Sequence, residues 1–301
     1  MSEILDMKTI RDYNEFLCLE TLNPLVSLVD FSKVEVLPHR RKCFGFYGIF
    51  LKEKIHGPLT YGRNKYDYEE GTLVFVAPGQ VAGIDDDGAT THPQGYALLF
   101  HPDLIRGTAF ARKMKEYTFF SYEVNEALHM SERERQTVFN CFGGIEEELT
   151  RPVDRHSRNI ILSDIEVLLN HCLRFYDRQF ATREAVNSDV LTRFESLLAG
   201  YFDSDLPGRI GLPSVAWCAD QLHFSPNYFG DLVKKQTGKS AIEYIHLAIV
   251  NRVKDRLRET DKTVSEIAYE TGFQYPHHLS RLFRKVTGCT PNEYRAQEGV
   301  R

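Results

Sequence analysis

One short pattern of residues occurs twice between positions 213 and 295, and this duplication limits the fold more than any other feature of the chain. The first copy spans 219–244 and the second spans 268–294, and each closes on a Thr-Gly pair followed by a hydroxyl residue and a tyrosine. The glycines of these pairs, Gly238 and Gly288, lie 50 positions apart. Two copies are too few for a repeat solenoid, which needs about three units to bury a continuous core. The pattern therefore predicts a duplicated small domain.

Each copy predicts two short helices joined by a tight turn. In the first copy, Ser225 offers a capping hydroxyl, Pro226 takes the first helical position and Gly238 provides the left-handed stop. The alanines that begin the copies lie only 49 positions apart, so the second copy carries one extra residue, between Phe273 and His278. A tight turn followed by a basic helix is what a helix-turn-helix needs to place one helix in the major groove of DNA.

An amphipathic segment separates the two copies. Ile249, Val253 and Leu257 recur every four residues along a charged stretch, which is the spacing of one helical face. A linker helix is therefore predicted to hold the two helix-turn-helix units at a fixed separation.

The C-terminal sequence resembles the signature of the AraC family of transcription regulators. The similar segments, in the family's order and spacing, are Thr263–Ala268, Thr271–Phe273, Arg281–Lys285, Thr287–Gly288 and Thr290–Arg295. The resemblance covers roughly the last 95 residues. It implies a sequence-specific DNA-binding regulator of transcription, usually an activator, with double-stranded DNA as its partner and RNA polymerase as a second one.

The distribution of charge agrees with this interpretation. From Pro207 onward the chain carries 14 Lys and Arg against 10 Asp and Glu, a net charge of +4, which leaves −9 for the preceding part of a chain of net charge −5. A mildly basic end on an acidic body fits an end that meets phosphate groups and a body that does not.

The whole chain has the length and composition of a two-domain globular protein. Its 301 residues are 42% hydrophobic and 26% charged. No apolar run approaches the ~20 residues of a membrane span, and the start of the chain lacks a signal-peptide pattern, so the protein is expected to stay in the cytoplasm, away from membranes. Its six cysteines form no C-x-x-C pair and are predicted to be buried free thiols rather than disulfides or a zinc site.

Residues 31–106 read as short β-strands broken by Gly and Pro. Strands are predicted within Cys43–Leu51, Leu59–Gly62, Gly71–Ala77 and Gly95–Phe100, with a polar turn at Asp85–Gly88. This spacing favours a small antiparallel barrel or sandwich. The segment from Gly71 to Gln80 is similar to a cupin strand and turn, and the family resemblance implies a cupin-like effector-binding barrel. The predicted fold class is α+β, with this barrel and its helices followed by an all-α domain.

The cupin resemblance raises the alternative of a metal-dependent enzyme. Many cupins bind a metal through His-x-His with a nearby Glu, but His39, His56, His92 and His101 form no such pair. We therefore predict no enzyme activity, no metal and no cofactor, and a barrel used as a pocket for a small-molecule effector. Four aromatic residues that could equally belong to the core are the candidate pocket residues: Phe46, Tyr61, Phe75 and Tyr96.

The pattern becomes helical after residue 104. Ser131 and Glu134 form a capping box, and residues 154–177 carry a long apolar stripe. In the AraC family a helix pair after the barrel commonly forms the interface of a homodimer, so the stripe is either core or interface; its members are Ile161, Ile165, Leu168, Leu169 and Cys172. The predicted domains are 1–182 for effector binding and dimerisation, 183–207 for a connecting helix and linker, and 208–301 for DNA binding.

The predicted DNA contacts lie on the second helix of each copy, whose N-terminal half faces base edges. Arg281 is the best base reader, able to reach guanine, although it could instead contact only phosphate. The first copy departs from the family pattern because Asp231 stands at the position matching Arg281, and an acid repels phosphate. The candidate residues are Asn227, Tyr228, Lys234, Lys235, Tyr275, Pro276, His277, Ser280, Arg281, Arg284 and Lys285. A helical module that binds mainly protein partners remains the other alternative.

Overall fold

The computed structural model of the chain describes residues 4–52, 71–83, 88–92, 94–122, 126–182 and 184–297. The predicted strand at Leu59–Gly62 and the acidic residues of the turn at 85–87 lie outside this part, as do Tyr61 and His56. The chain divides into two compact units, Met1–Gln179 and Phe180–Arg301. Each unit is described by itself below.

The N-terminal unit combines strands with helices. Its strands are β1 Leu5–Met7, β2 Val26–Asp30, β3 Leu37–Pro38, β4 Arg41–Phe44, β5 Tyr47–Lys52, β6 Thr72–Val76, β7 Val81–Gly83, β8 Thr90–Thr91, β9 Gly95–Phe100 and β10 Leu128–His129. Its helices are α1 Ile10–Phe16, α2 Pro102–Ile105, α3 Ala109–Lys113, α4 Glu132–Thr150 and α5 Ser157–Thr182, which ends just beyond the unit. Short 3₁₀ turns lie at Phe31–Lys33, Met114–Glu116 and Thr118–Ser121.

The described strands form two main sheets around a shared core. The larger sheet has the order β10-β6-β5-β9-β2 and is antiparallel, the smaller one has the order β1-β4-β7, and β3 pairs with β8. In the larger sheet, Gly48 lies opposite Val76 on one side and Leu99 on the other. Val76 and Leu99 share a buried cluster with Met7 and Phe44 of the smaller sheet. The two sheets therefore enclose one core, as a small sandwich does.

The apolar stretch Cys43–Leu51, within which strand structure was predicted, contributes to two strands in different sheets. The chain breaks at Gly45, whose amide donates a hydrogen bond to the carbonyl oxygen of Met7, 2.7 Å away. A Cβ atom at Gly45 would lie 2.4 Å from the carbonyl oxygen of Lys8, so only glycine allows the backbones to come this close. Apolar content alone does not reveal such a break.

Helices α4 and α5 pack with the sheet. The predicted capping box is confirmed, since the Ser131 hydroxyl accepts from the Glu134 amide and the Glu134 carboxylate accepts from the Ser131 amide. Arg178 on α5 donates to both oxygens of that carboxylate, each 2.9 Å away, and holds the two helices together. The five stripe residues named as core or dimer interface, Ile161, Ile165, Leu168, Leu169 and Cys172, are all 0–2% exposed, so they belong to the core of this chain.

The C-terminal unit is entirely helical among its described residues. Its helices are α6 Glu184–Asp203, α7 Leu206–Ile210, α8 Val215–Gln221, α9 Pro226–Thr237, α10 Ala241–Glu259, α11 Val264–Glu270, α12 Pro276–Thr287 and α13 Pro291–Gln297. Most of the segment 183–207, predicted as a connecting helix and linker, lies in α6 and the start of α7. The α+β class and the all-α C-terminal part are confirmed.

Helix α6 is part of the C-terminal unit rather than a free connection. Phe194 packs edge-on against Phe229 with ring centres 4.9 Å apart, and the hydroxyl of Tyr201 donates to the carbonyl oxygen of Gly211 at 2.6 Å. Arg252 on α10 binds the carboxylate of Asp203 at 2.6 Å. The C-terminal half of α6 is therefore fixed on the helices that follow it.

The predicted linker helix is confirmed as α10. Its apolar face carries Ile249, Val253 and Leu257, each 1% exposed, within the core shared by both helix-turn-helix units. Arg295 on α13 donates to the carbonyl oxygens of Leu257 at 3.2 Å and Lys262 at 2.7 Å. This arginine therefore satisfies a carbonyl group in the last turn of α10, where helix carbonyls lack partners, and also binds the loop that follows.

All six cysteines are free thiols. Cys172 and Cys218 are buried, but Cys18 is exposed and the other three are half-buried, so the expectation of general burial is wrong. None of the described helices combines the length and the apolar character needed to cross a membrane.

Candidate nucleic-acid interface

The two copies of the pattern fold into the same helix-turn-helix. In the first, the Phe224 amide donates to the Ala219 carbonyl oxygen, and in the second the Phe273 amide donates to that of Ala268, both at 2.9 Å. The extra residue of the second copy lies in its turn, because Phe273 precedes the first residue of its helix by three positions and Phe224 by two. The predicted left-handed glycines end both second helices, with φ of 70° at Gly238 and 86° at Gly288.

Helix α12 is the second helix of the C-terminal copy, and its outer face is polar and basic. Leu279 and Phe283 are 1% exposed and anchor the inner face. His277 and Arg281 are exposed, one helical turn apart. Ser280 is half-buried, and its hydroxyl donates to the carbonyl oxygen of Pro276 at 3.3 Å. The geometry therefore presents an imidazole and a guanidinium side by side on the outer face of α12.

Aromatic rings gather where α12 begins. Tyr275 is 55% exposed, and the ring centres of His277 and His278 lie 5.6 and 5.7 Å from that of Tyr275. His278 is also exposed and was not among the predicted contacts. The only signal in the sequence was its place beside His277. Flat polar rings that protrude from a helix N-terminus suit contact with base edges and sugars.

The C-terminal end of α12 supplies positive charge. Arg284 and Lys285 are exposed in the last turn, where cations also complement the helix dipole. Burial lowers the pKa of the His246 imidazole on α10, the nearby Lys285 lowers it further, and Glu243 acts in the opposite direction. Burial and the nearby ammonium group thus favour the neutral imidazole beside the basic end of α12.

Helix α9, the corresponding helix of the first copy, presents a different surface. Asn227 is exposed, as are Lys234 and Lys235 in the last turn. Tyr228, predicted to face the groove, is only 5% exposed because its ring packs against Phe224, 5.5 Å away, and against Phe180. Its placement in the core corrects that prediction.

The four aromatic residues named for an effector pocket do not form one cluster. Phe46 is fully buried in the core between the sheets. Phe75 packs against Phe119 at 4.4 Å between ring centres, and Tyr96 against Phe139 of α4 at 5.4 Å. These contacts lie on the opposite face of the larger sheet, while Tyr61 lies outside the described residues.

Within the described ranges, no three His, Cys, Asp or Glu side chains come together in a way that could hold a metal ion. The family match falls within the C-terminal unit. A helix-turn-helix domain family matches residues 218–297.

Two relatives illustrate the extent of the similarity. The transcriptional regulatory protein YesN of Bacillus subtilis is 34% identical over 128 residues, which is 42% of this chain and 33% of that protein. The HTH-type transcriptional activator RhaS of Klebsiella pneumoniae is 28% identical over 152 residues, which is 50% of each. The chain thus spans between a third and a half of the length of these relatives.

A solved structure of an AraC-type transcriptional regulator from Chromobacterium violaceum is 26% identical, with a TM-score of 0.33, and covers 38% of this chain and 95% of that one. The family match covers both helix-turn-helix units. Residues 218–297 of the chain therefore form a helix-turn-helix domain, similar to those of AraC-type transcription regulators.

Proposed function

We propose that this protein is a DNA-binding regulator of transcription that reads its site mainly through α12. The observation that carries the proposal is the exposed row of His277, Arg281 and Arg284 on a helix whose opposite face is anchored by Leu279 and Phe283. A guanidinium group can donate two hydrogen bonds to guanine in the major groove. The basic side chains in the last turns of α9 and α12 supply contacts to phosphate.

The linker helix α10 sets the geometry of the proposed complex. Both helix-turn-helix units pack on this helix and share its core, which favours a fixed separation between α9 and α12. We expect the two helices to enter successive major grooves on one face of the duplex, about 34 Å apart. One protomer should therefore protect two neighbouring groove segments.

The proposal also includes activation of transcription, binding of a small-molecule effector, dimerisation and action in the cytoplasm. The relative RhaS is named as an activator, which favours activation through contact with RNA polymerase. The N-terminal unit, with a core enclosed by two sheets, is proposed to bind a small-molecule effector and to support a homodimer. Chromosomal DNA as the partner places the proposed action in the cytoplasm.

Selection of random duplexes on the full-length protein, followed by footprinting, tests the function. We expect one enriched motif that still binds at about 150 mM salt, where purely electrostatic binding fades. Hydroxyl-radical footprints should show two protected segments on one face of the duplex for each protomer.

The same selection carried out with Arg281→Ala serves as the matched control. Equal enrichment of unrelated sequences by the wild-type protein would contradict the proposal and favour a module that binds protein partners. A footprint confined to one groove would contradict the role given to α10.

A further inference from the structure

A groove of about 430 Å³ lies between helices α6 and α10, inside the C-terminal unit. All of its lining residues belong to these two helices. Its volume falls within the range of small-molecule sites in proteins. The groove faces away from the apolar side of α10 that carries Ile249 and Val253, on which the helix-turn-helix units pack.

Two polar contacts connect the walls of the groove. At the first, the hydroxyl of Tyr244 on α10 donates a hydrogen bond to the carboxylate of Glu195 on α6. At the second, Arg252 on α10 donates to the carboxylate of Asp203 at 2.6 Å and to the carbonyl oxygen of Phe202 at 3.1 Å. The two contacts lie eight positions apart on each helix, so the space between them is about 12 Å long. A partner helix, which is about 10 Å wide and would run past both contacts, fits this space less well than a small molecule.

Between the two contacts the walls are mostly apolar. The residues three, four and seven positions after Glu195, and those at the same offsets after Tyr244, line the groove, as residues on one face of a helix do. An alanine in each wall leaves space that a larger side chain would fill. These residues are Leu198, Ala199 and Phe202 on α6, and Leu247, Ala248 and Asn251 on α10.

The charge around the groove is mainly negative. Three carboxylates line it, those of Glu195, Asp203 and Asp255, against the single cation of Arg252. Arg252 neutralises Asp203, whereas Glu195 and Asp255 have no cationic partner in the part of the chain that the structure describes. Apolar walls beside unneutralised carboxylates are complementary to a ligand that joins a cationic group to an apolar body.

Glu195 is the carboxylate best placed to hold such a cation. The hydroxyl of Tyr244 orients it and occupies one of its acceptor positions, and an ionised carboxylate offers about four. The Tyr244 ring is itself packed against Phe194, with ring centres 5.4 Å apart. Burial, together with the hydrogen bond to Glu195, raises the pKa of Tyr244 to about 12. The hydroxyl therefore remains a donor at neutral pH, and the ring beside the carboxylate can add a cation–π contact.

We propose that the groove between α6 and α10 binds a primary amine whose apolar body is about the size of a phenyl ring. Its ammonium group pairs with Glu195, and its body packs between Leu198 and Leu247. The inference goes beyond the proposed function, because it concerns a ligand of these two helices and not DNA.

Isothermal titration calorimetry of the full-length protein tests the inference with phenethylamine and three analogues. The analogue 2-phenylethanol lacks the charge, 3-phenylpropanoate reverses it, and ethylamine lacks the ring. We expect phenethylamine to bind at pH 7 and each analogue to bind at least about tenfold more weakly, because a hydrogen-bonded charge or the apolar contact is lost. Phenethylamine should also raise the melting temperature as its concentration increases.

The variant Glu195→Gln removes the charge and keeps an oxygen that can accept from Tyr244. We expect it to weaken phenethylamine binding at least about tenfold and to leave the affinity for 2-phenylethanol unchanged. Asp189→Asn serves as the matched control, since Asp189 is an exposed acid of α6 that does not line the groove. It should leave the affinity for phenethylamine unchanged.

A second variant tests the space rather than the charge. Ala199→Leu adds an apolar side chain to the exposed wall of α6 and leaves every carboxylate in place. Leucine is a good helix former, so the melting temperature of the ligand-free protein should stay close to that of the wild type. We expect this variant to bind phenethylamine at least about tenfold more weakly, because the groove is filled.

The inference is overturned by equal binding of phenethylamine and 2-phenylethanol, by unchanged affinity in Glu195→Gln or Ala199→Leu, or by no binding of phenethylamine. An amphipathic helical peptide of leucine and lysine that binds where phenethylamine does not would also overturn it, and would assign the groove to a partner helix.

Discussion

The two helix-turn-helix units share one backbone plan but present different chemistry. Both carry the same hydrogen bond across the turn, at 2.9 Å, and both end their second helix on a left-handed glycine. At matching positions on the outer face, the first unit has Asp231 and the second has Arg281. The scaffold has been kept while the contact surface has diverged.

The two turns also differ in which residue adopts the left-handed backbone conformation. At the residue before the turn phenylalanine, the second unit has Gly272 with φ of 97°, and the first has His223 with φ of 62°. A left-handed conformation costs a residue with a Cβ atom about 1–2 kcal/mol. The first turn tolerates that cost, and the second has a further reason to require glycine.

The reason is the close approach of another segment. A Cβ atom at Gly272 would lie 2.6 Å from the carbonyl oxygen of Gly211 and 3.2 Å from the amide nitrogen of Leu212. That carbonyl oxygen also accepts the hydrogen bond from Tyr201 of α6. The second unit is thus fitted against the segment that joins α7 to α8. We infer that it is the more rigidly held of the two, which suits a reader of base edges.

The largest expected effect comes from a substitution that disrupts the close contact between Gly272 and Gly211. Gly272→Ala places a methyl group against fixed backbone and imposes a left-handed conformation on alanine, and should lower the free energy of unfolding by roughly 2–5 kcal/mol. Urea unfolding followed by fluorescence of Trp217, the one tryptophan of the chain, measures this in the C-terminal unit.

The matched change in the first unit should have the opposite sign. His223→Gly relieves the strain at φ 62° and should raise the free energy of unfolding by about 0.5–1 kcal/mol, after the greater flexibility of glycine in the unfolded chain is subtracted. A loss below about 1 kcal/mol for Gly272→Ala would mean that the segment at Gly211 moves aside, and the two turns would then be equivalent.

The next effect concerns the contact surface. Arg281→Ala should weaken binding to the selected duplex by about 1–3 kcal/mol and relax one base position, because a bidentate contact to guanine is lost. Asp231→Ala, at the matching position, should leave affinity unchanged or increase it slightly, since an acid near phosphate is removed. Gel retardation on the selected duplex and on a scrambled one measures both changes.

Lys235→Ala is the control for general electrostatic binding. It should weaken binding to the selected and the scrambled duplex alike. It should also reduce the slope of the logarithm of the binding constant against the logarithm of the salt concentration by about 1. If Arg281→Ala behaves in the same way, Arg281 contacts only phosphate. In that case the second helix-turn-helix unit would not differ from the first in contacting base edges.

Much of the C-terminal unit could be predicted from the sequence because its signals are local. Ser225 before Pro226, Gly238 after the last turn and the apolar spacing of α10 each fix an element within a few residues, and the structure has all three. The offsets of 49 and 50 between matching residues are enough to place the extra residue between Phe273 and His278. Local rules succeed where a helix carries its own start and stop signals.

The misses have a common cause, which is contact between residues distant in sequence. Tyr228 has the position of a groove contact, but its ring is taken up by Phe180, 48 residues earlier. The break at Gly45 depends on Met7, 38 residues earlier. Helical periodicity and capping residues do not specify contacts between residues far apart in the sequence. The packing of the interior of the N-terminal unit therefore could not be predicted from the sequence.

The smallest expected effect concerns the start of the two second helices. The Ser225 hydroxyl accepts a hydrogen bond from the Tyr228 amide at 3.3 Å, whereas Tyr275 has no capping side-chain hydrogen bond. Ser225→Ala should therefore lower the free energy of unfolding by about 1 kcal/mol, and Tyr275→Ser should raise it by a few tenths to about 1 kcal/mol. The fluorescence of Trp217 in urea measures both. A gain from Tyr275→Ser together with weaker DNA binding would indicate that α12 gave up a cap to keep an exposed ring at the groove. No gain would mean that the extra residue in this turn holds the backbone away from capping geometry.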